Sequence, residues 1–241
     1  MALRHDATAN SRRFYTRTDA AAIETGFAVR LDGRAPRSPA GRPLVVPTAA
    51  LADLIAAEWA AQGELIAFAS MPATRLAWTA LDGVALARDE TCRSIARYAG
   101  ADLLCYQAEG PRALVTRQDA VWSPLLAWAR DELGLEFVLS RGIVHRPQPP
   151  ATLARVAAIT GEIGDFALAG VASAAALFGS AILALALWRE RLDGGAALAA
   201  SRIDETFQES QWGRDADAAT REAFMLGEAL MLQQWFAAME R

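Results

Sequence analysis

Lysine is absent from this 241-residue chain, and all 24 of its basic residues are arginine. A phosphate-binding P-loop, a Schiff-base enzyme and a protein kinase each depend on a lysine, so the sequence excludes these classes. Histidine occurs only as His5 and His145. Because histidine is the usual general base, its scarcity argues against a Ser-His-Asp or Cys-His catalytic site.

Cysteine is scarce as well, with Cys92 and Cys105 as its only two copies. They lie thirteen positions apart and form no Cys-x-x-Cys pair, so we expect no zinc site and no cofactor. Free thiols in a protein core are typical of a reducing compartment. Residues 1–12 lack the apolar core of a secretory signal, which indicates an intracellular protein.

An excess of positive charge is also missing. The formal net charge is −4 and the arginines form no run, whereas nucleic-acid-binding proteins present a basic patch or stripe. We therefore expect no nucleic-acid partner. The absence of heptad repeats argues against a coiled-coil dimer and favours a monomer.

One long stretch, 166–188, carries no charge over 23 residues, which is long enough to span a bilayer. It is rich in alanine, and Phe178-Gly179-Ser180 can divide it into two helices. Because small residues let helices pack closely, we expect the buried centre of a helical bundle and no membrane span. A membrane-anchored assembly factor using this segment is the alternative.

Residues 1–70 are expected to form a β-rich domain with one helix. Short apolar or alternating runs are separated by turn signals, of which Asp32-Gly33 is the strongest hairpin candidate. Thr48 is suited to cap a helix that ends near Gln62.

From residue 71 to residue 241 the apolar residues recur with helical spacing. Pro124 is expected to restart a helix within 116–133. The fold class is therefore α+β, with a small β-rich N-terminal domain (1–70) followed by a larger all-helical C-terminal domain (71–241). Further helices are predicted at 151–160, 163–178, 180–192, 196–211 and 217–239, the last with Asp217 as its N-cap.

The most specific segment is 204–215, which holds four carboxylates, two glutamines and one tryptophan on a predicted helix that Gly213 ends. Residues three or four apart share a helix face, so these side chains form an acidic, amide-rich surface with one aromatic anchor. Such a surface suits binding a partner and supplies neither a nucleophile nor a metal cage. The candidate contact residues are Asp204, Glu205, Gln208, Glu209, Trp212 and Asp215.

Structural roles remain open for some of these residues. Trp212 could be a core or capping tryptophan, and Asp204 could pair with Arg202 or Arg214. Gln118 and Gln208 could be buried amides that link helices. Four other tryptophans are expected in the core: Trp59, Trp122, Trp128 and Trp235.

A rival interpretation is a carboxylate-dependent hydrolase that uses two of the four acids Asp204, Glu205, Glu209 and Asp215. An acid–base pair needs one carboxyl group with a raised pKa in a cleft, and a solvated acidic helix gives no sign of one.

Eight short blocks follow one another from Arg13 almost to the C-terminus. They are Arg13-Phe14-Tyr15; Leu31-Asp32-Gly33-Arg34; Glu58-Trp59 with Gln62; Met71-Pro72 with Thr74; Tyr98 with Asp102-Leu103-Leu104-Cys105-Tyr106; Gln118 with Trp122 and Pro124; Gly179-Ser180 with Leu183-Ala184-Leu185-Ala186-Leu187; and Asp204-Glu205 with Gln208, Trp212-Gly213 and Asp215. In this order they resemble the F1-ATPase assembly chaperones that bind the unassembled α subunit of ATP synthase.

This resemblance implies a molecular chaperone and not an enzyme. The expected partner is the F1 α subunit, which the chaperone would keep from aggregating until the β subunit replaces it. The resemblance also implies the same two-part fold, and it places Glu205 where the family has a functionally required glutamate. The chain begins almost directly at the first block, without the long presequence of mitochondrial members, so we expect a bacterial cytoplasmic protein.

Overall fold

The computed structural model describes residues 11–142, 144–213 and 215–239, so His5 and Arg214 lie outside the described residues. It contains two compact units. The first comprises the described residues up to Leu86 together with those from Gln234 onward, and the second comprises Ala87–Gln233. The first unit holds a three-stranded sheet and the second is mainly helical, which confirms the expected α+β class.

The sheet of the first unit is antiparallel. The hairpin between its first two strands turns at Glu24-Thr25. The turn predicted at Asp32-Gly33 is also present, with Leu31 and Arg34 paired as an isolated antiparallel bridge across it. Gly26, with φ +139°, follows the Glu24-Thr25 turn, and a Cβ atom there would lie 2.6 Å from the Val46 carbonyl oxygen. The strands are β1 (Thr18–Ile23), β2 (Gly26–Leu31) and β3 (Val45–Val46).

Asp32-Gly33 forms a tight two-residue turn directly after β2. Leu31 and Arg34 exchange backbone hydrogen bonds of 2.8 and 3.0 Å across it. The Asp32 carboxylate accepts hydrogen bonds from the Arg17 and Thr16 backbone, which lower its pKa. The turn therefore fastens the preceding segment to the sheet.

Helix α1 (Ala49–Ala60) begins where the sequence predicts, since the Thr48 hydroxyl accepts a hydrogen bond of 3.2 Å from the Leu51 N–H. The same hydroxyl donates to the Ala238 carbonyl oxygen at 2.6 Å. Helix α2 (Pro72–Trp78) follows in the same unit. The units thus differ from the ranges 1–70 and 71–241, because α2 and the chain end both belong to the first.

The second unit is built from most of the remaining helices. The predicted helix 196–211 is divided at Arg202, and Pro124 lies inside one continuous helix instead of restarting it. Two short strands, β4 (Tyr106–Gln107) and β5 (Ser140–Arg141), pair in parallel. The helices are α3 (Arg88–Gly100), α4 (Arg112–Leu133), α5 (Pro150–Gly161), α6 (Asp165–Phe178), α7 (Ala181–Trp188), α8 (Gly194–Ser201), α9 (Ile203–Trp212) and α10 (Ala216–Met239), the last of which continues into the first unit.

The uncharged stretch 166–188 forms α6 and α7, which are separated at Gly179 (φ +64°) as predicted. Residues 181–186 are completely buried. Among the described residues, no helix combines the length and the apolar character needed to cross a membrane.

Candidate partner-binding site

Helix α9 is anchored by its apolar side. Ile203 and Phe207 are buried, and the Arg117 guanidinium of α4 lies over the Phe207 ring, 5.3 Å from its centroid. The helix ends at Gly213, whose φ of +90° is readily adopted by glycine. These contacts determine which side chains of α9 face the protein and which face solvent.

Asp204 faces α4. Its carboxylate accepts a hydrogen bond of 2.6 Å from the Gln118 side-chain amide, whose oxygen accepts one of 2.8 Å from the Ala108 N–H. Gln118 is 1% exposed. It is thus the buried amide that links helices, and Asp204 is held by it and not by Arg202. Gln208, for which the same role was open, is exposed.

Glu209 forms an ion pair within the chain. Its Oε1 lies 3.2 Å from Nη2 of Arg202, and both side chains are largely buried. Nε of Arg202 is buried without a hydrogen-bond partner among the described residues, so this cation depends strongly on Glu209. The spacing of seven residues, two helical turns, is a signal that could have indicated this pair from the sequence.

Asp215 caps the next helix. Its carboxylate accepts a hydrogen bond of 2.6 Å from the Ala218 N–H at the start of α10. An aspartate at this position satisfies one of the free N–H groups of the first helical turn. Asp217, the residue that the sequence pattern suggested as the cap, lies inside the helix.

Three of the predicted contact residues on α9 are exposed together: Glu205, Gln208 and Trp212, which we call the α9 contact face. Their spacing of i, i+3 and i+7 places them on one side of the helix. Trp212 is 81% exposed, so the open possibility of a core tryptophan is excluded. Glu205 also lies in the first turn of α9, where the helix dipole favours an acidic side chain.

The four acids of the segment do not form a catalytic pair. Asp204, Glu209 and Asp215 each have a different structural partner, and Glu205 is exposed. Within the described ranges, no group of three or more His, Cys, Asp or Glu side chains is arranged to hold a metal ion. The arrangement therefore supports binding and gives no support to the hydrolase.

The remaining candidates from the sequence have structural roles. His145 is exposed and shares a hydrogen bond of 2.8 Å with the Tyr106 hydroxyl, and both cysteines are free and buried. The four tryptophans expected in the core are buried there: Trp59, Trp122, Trp128 and Trp235.

Comparison with known proteins places this geometry in context. The family model described as ATP12 chaperone protein matches residues 12–130. The mitochondrial protein atp12 of Schizosaccharomyces pombe is 26% identical over 220 residues, which cover 86% of this chain and 75% of that protein.

Solved structures match over almost the whole length. Atp12 from Paracoccus denitrificans is 38% identical, with a TM-score of 0.88 and coverage of 95% of this chain and 98% of that one. A protein from Agrobacterium tumefaciens described as a candidate chaperone is 40% identical, with a TM-score of 0.89 and coverage of 95% and 86%. At this identity and coverage, the chain belongs to the ATP12 chaperone family and is a chaperone, not an enzyme.

Proposed function

We propose that this chain assists assembly of the F1 sector of ATP synthase by binding the unassembled α subunit through the α9 contact face. A subunit outside its ring exposes surfaces that later contact its neighbours, and such surfaces aggregate. The chaperone covers one of them until the β subunit takes its place. Support comes from membership of the family and from the resemblance of the sequence blocks.

The observation that carries the proposal is an almost fully exposed tryptophan on the same side of a firmly anchored helix as an exposed glutamate two turns earlier. Trp212 leaves a large aromatic surface in water, and its removal from water against a partner contributes strongly to binding. For this reason tryptophan is enriched among residues that dominate interfaces. Glu205 supplies a charge that steers a basic partner and selects its orientation.

The roles of the six candidate residues then divide into two groups. Glu205, Gln208 and Trp212 contact the partner. Asp204, Glu209 and Asp215 hold α9 and the start of α10 in place through the bonds described above. No bond is made or broken, and release follows when the true neighbour competes for the same surface.

The partner is tested by co-expression with isolated F1 α and β subunits in the bacterial cytoplasm, where we propose that the protein works. We expect the α subunit to remain soluble and to co-purify with the chain. Rescue of the β subunit alone would reject the partner assignment.

The contact face is tested with Glu205→Lys. We expect recovery of the α subunit to fall at least about tenfold, because reversing a desolvated charge at an interface costs several kcal/mol, roughly 2–5. The free energy of unfolding should change by less than about 1 kcal/mol, the contribution of the helix dipole at an exposed position. Both are measured, the first by affinity purification and the second by urea unfolding.

Glu132→Lys is the matched control. Glu132 is an exposed glutamate near the end of α4, fourteen residues from Gln118 and therefore about 20 Å along the helix from the contact with α9. The Glu132→Lys variant has the same change of charge as Glu205→Lys, and it should retain the α subunit at the wild-type level. If the Glu205→Lys variant and wild type recover equal amounts of the α subunit, Glu205 is not part of the interface.

A further inference from the structure

An open groove lies between α4 and α8 in the helical unit, with a volume of about 490 Å³. Its walls are formed by Val121, Pro124 and Leu125 of α4 and by Ala196 and Ala199 of α8. Val121 is 39% exposed although it is apolar. Because the groove is open to solvent and its α4 and α8 walls are apolar, it suits a segment of polypeptide better than an enclosed small molecule.

Pro124 adds a backbone acceptor to this groove. Proline has no N–H, so the carbonyl of Ala120, four residues earlier in α4, lacks its helical donor. Ala120 also lines the groove and is exposed. A peptide backbone N–H can supply the missing hydrogen bond.

The charge at the rim comes from Arg191, the charged residue in the groove lining. The turn after α7 holds it in place, since the N–H groups of Arg191 and Leu192 both donate to the Ala186 carbonyl oxygen. Glu190 has a φ of +54°, a conformation that non-glycine residues keep only where the surrounding structure imposes it. A positive rim calls for a carboxylate on the occupant.

Helix α4 connects the groove to the α9 contact face. Gln118 binds Asp204 of α9, and one turn later the Trp122 indole donates a hydrogen bond of 2.9 Å to the Ala200 carbonyl oxygen of α8. Two neighbouring turns of α4 thus connect the helix that carries the contact face with the helix that lines the groove. Glu205 gives the face an acidic group, and Arg191 gives the groove a basic one.

We propose that the groove takes an extended segment of the client polypeptide, with small apolar side chains on the groove walls and an aspartate or glutamate on Arg191. A basic group of the same client then meets Glu205. This inference rests on the proposed function, since it assigns a second part of the surface that holds the α subunit.

The test places a charge on either wall of the groove and measures capture of the isolated F1 α subunit by affinity purification. We expect Val121→Arg and Ala199→Arg each to lower recovery at least tenfold, and Arg191→Glu to lower it several-fold. Ala199 is exposed on α8, the opposite wall of the groove. A loss of capture in both variants therefore cannot come from a local distortion of α4 by Val121→Arg. Urea unfolding checks that each variant retains wild-type stability.

Leu226→Arg is the matched control, because Leu226 is also 39% exposed on a helix and lies outside the groove lining. The Leu226→Arg variant should capture the α subunit like wild type.

If Glu205→Lys loses the α subunit while both wall variants retain it, the groove inference is overturned and the proposed function stands. If wild type does not retain the α subunit, both the groove inference and the proposed function are rejected. A concentration-dependent dimer that Val121→Arg abolishes, seen by sedimentation velocity, would assign the groove to a second copy of the chain and overturn the inference.

Discussion

Individual side chains on α9 have different roles although they share one short acidic segment. Glu205 and Glu209 have the same chemistry, yet Glu209 pairs with the buried Arg202 while Glu205 faces solvent. Asp204 is held by a glutamine 86 positions away in the chain. Side-chain type therefore indicates a binding surface, and the neighbours of each residue decide which of them is free to bind.

Asp102 is a second acid whose surroundings decide its behaviour. It is completely buried and accepts hydrogen bonds from the Ser180 hydroxyl and from the Leu104 and Ile182 N–H groups at 2.7, 3.1 and 3.0 Å. Burial raises its pKa to about 6 against the opposing effect of these bonds. Burial raises the pKa of Cys105 as well, and the Asp102 charge adds a smaller increase.

We expect this aspartate to make stability fall as the pH rises. Between its ordinary pKa of 3.8 and about 6, the folded state binds more protons at Asp102 than the unfolded state does. The contribution of this group to the unfolding free energy is therefore full below pH 3.8 and is lost as the pH rises through 6. The loss amounts to about 3 kcal/mol, since one pH unit corresponds to about 1.4 kcal/mol.

The measurement is urea unfolding followed by tryptophan fluorescence from pH 4 to pH 7, for wild type and Asp102→Asn. The asparagine variant removes this titration and leaves all others, so the difference between the two curves isolates Asp102. Two curves that run parallel over the whole range would show that its pKa is the same in the folded and unfolded states.

At the scale of elements, helix packing depends on single positions where two backbones approach. Gly194, the first residue of α8, is such a position, because a Cβ atom there would lie 2.4 Å from the Ala229 carbonyl oxygen of α10. Its N–H also donates to the Gln233 side chain at 2.9 Å. The neighbouring Gly195 has room for a side chain, since a Cβ atom there would make an ordinary contact of 3.4 Å with Oδ1 of Asp193.

Gly194→Ala should therefore lower the free energy of unfolding by about 2 kcal/mol or more, because a new methyl group against rigid backbone forces the helices apart. Gly195→Ala, one residue later in the same helix, is the control. It should be neutral or stabilising by less than about 1 kcal/mol, because alanine favours helix. Urea unfolding of both variants tests this contrast, and equal effects would contradict it.

Element boundaries show the same dependence on distant contacts. Thr48 and the α1 helix it caps were predicted correctly, since a cap bonds to residues beside it in the chain. Pro124 was expected to restart a helix, but α4 runs through it because packing of Trp122 and Leu125 holds both halves. The turn at Asp32-Gly33 was predicted correctly as well, whereas the β1–β2 hairpin was not predicted, because strand pairing is decided between segments and not within one.

At the scale of the whole molecule, we expect exposed charges to govern association with the α subunit. The chain is acidic overall, and the α9 contact face adds the exposed Glu205. Interactions between exposed charges weaken with salt, since the screening length shrinks from about 10 Å at 0.1 M to about 3 Å at 1 M. Association with a basic surface of the client should therefore be salt-dependent.

We expect the association rate with the isolated α subunit to fall several-fold between 50 and 500 mM NaCl, a change of ionic strength that screens steering charges. The measurement is biolayer interferometry at both salt concentrations. Glu205→Gln should weaken this dependence, whereas Glu132→Gln should preserve it. The same salt dependence in all three proteins would show that Glu205 does not steer the encounter.

The sequence by itself determined the features that depend on neighbours along the chain. These are the α+β class, the capped helix α1, the division of 166–188 at Gly179, the core tryptophans and the acidic character of α9. Helix periodicity, capping and turn chemistry act over a few residues, so they can be read directly from the order of amino acids.

Only the tertiary structure decided which side chains remain available. In the folded chain, Ala238 bonds to Thr48, 190 positions earlier, and Gln118 bonds to Asp204. Trp212 remains exposed, and a groove forms beside Val121. Side chains on one helical stripe are equivalent until another element packs against some of them. Because those elements lie far away in the sequence, the separation of binding residues from supporting residues appears only in the folded molecule.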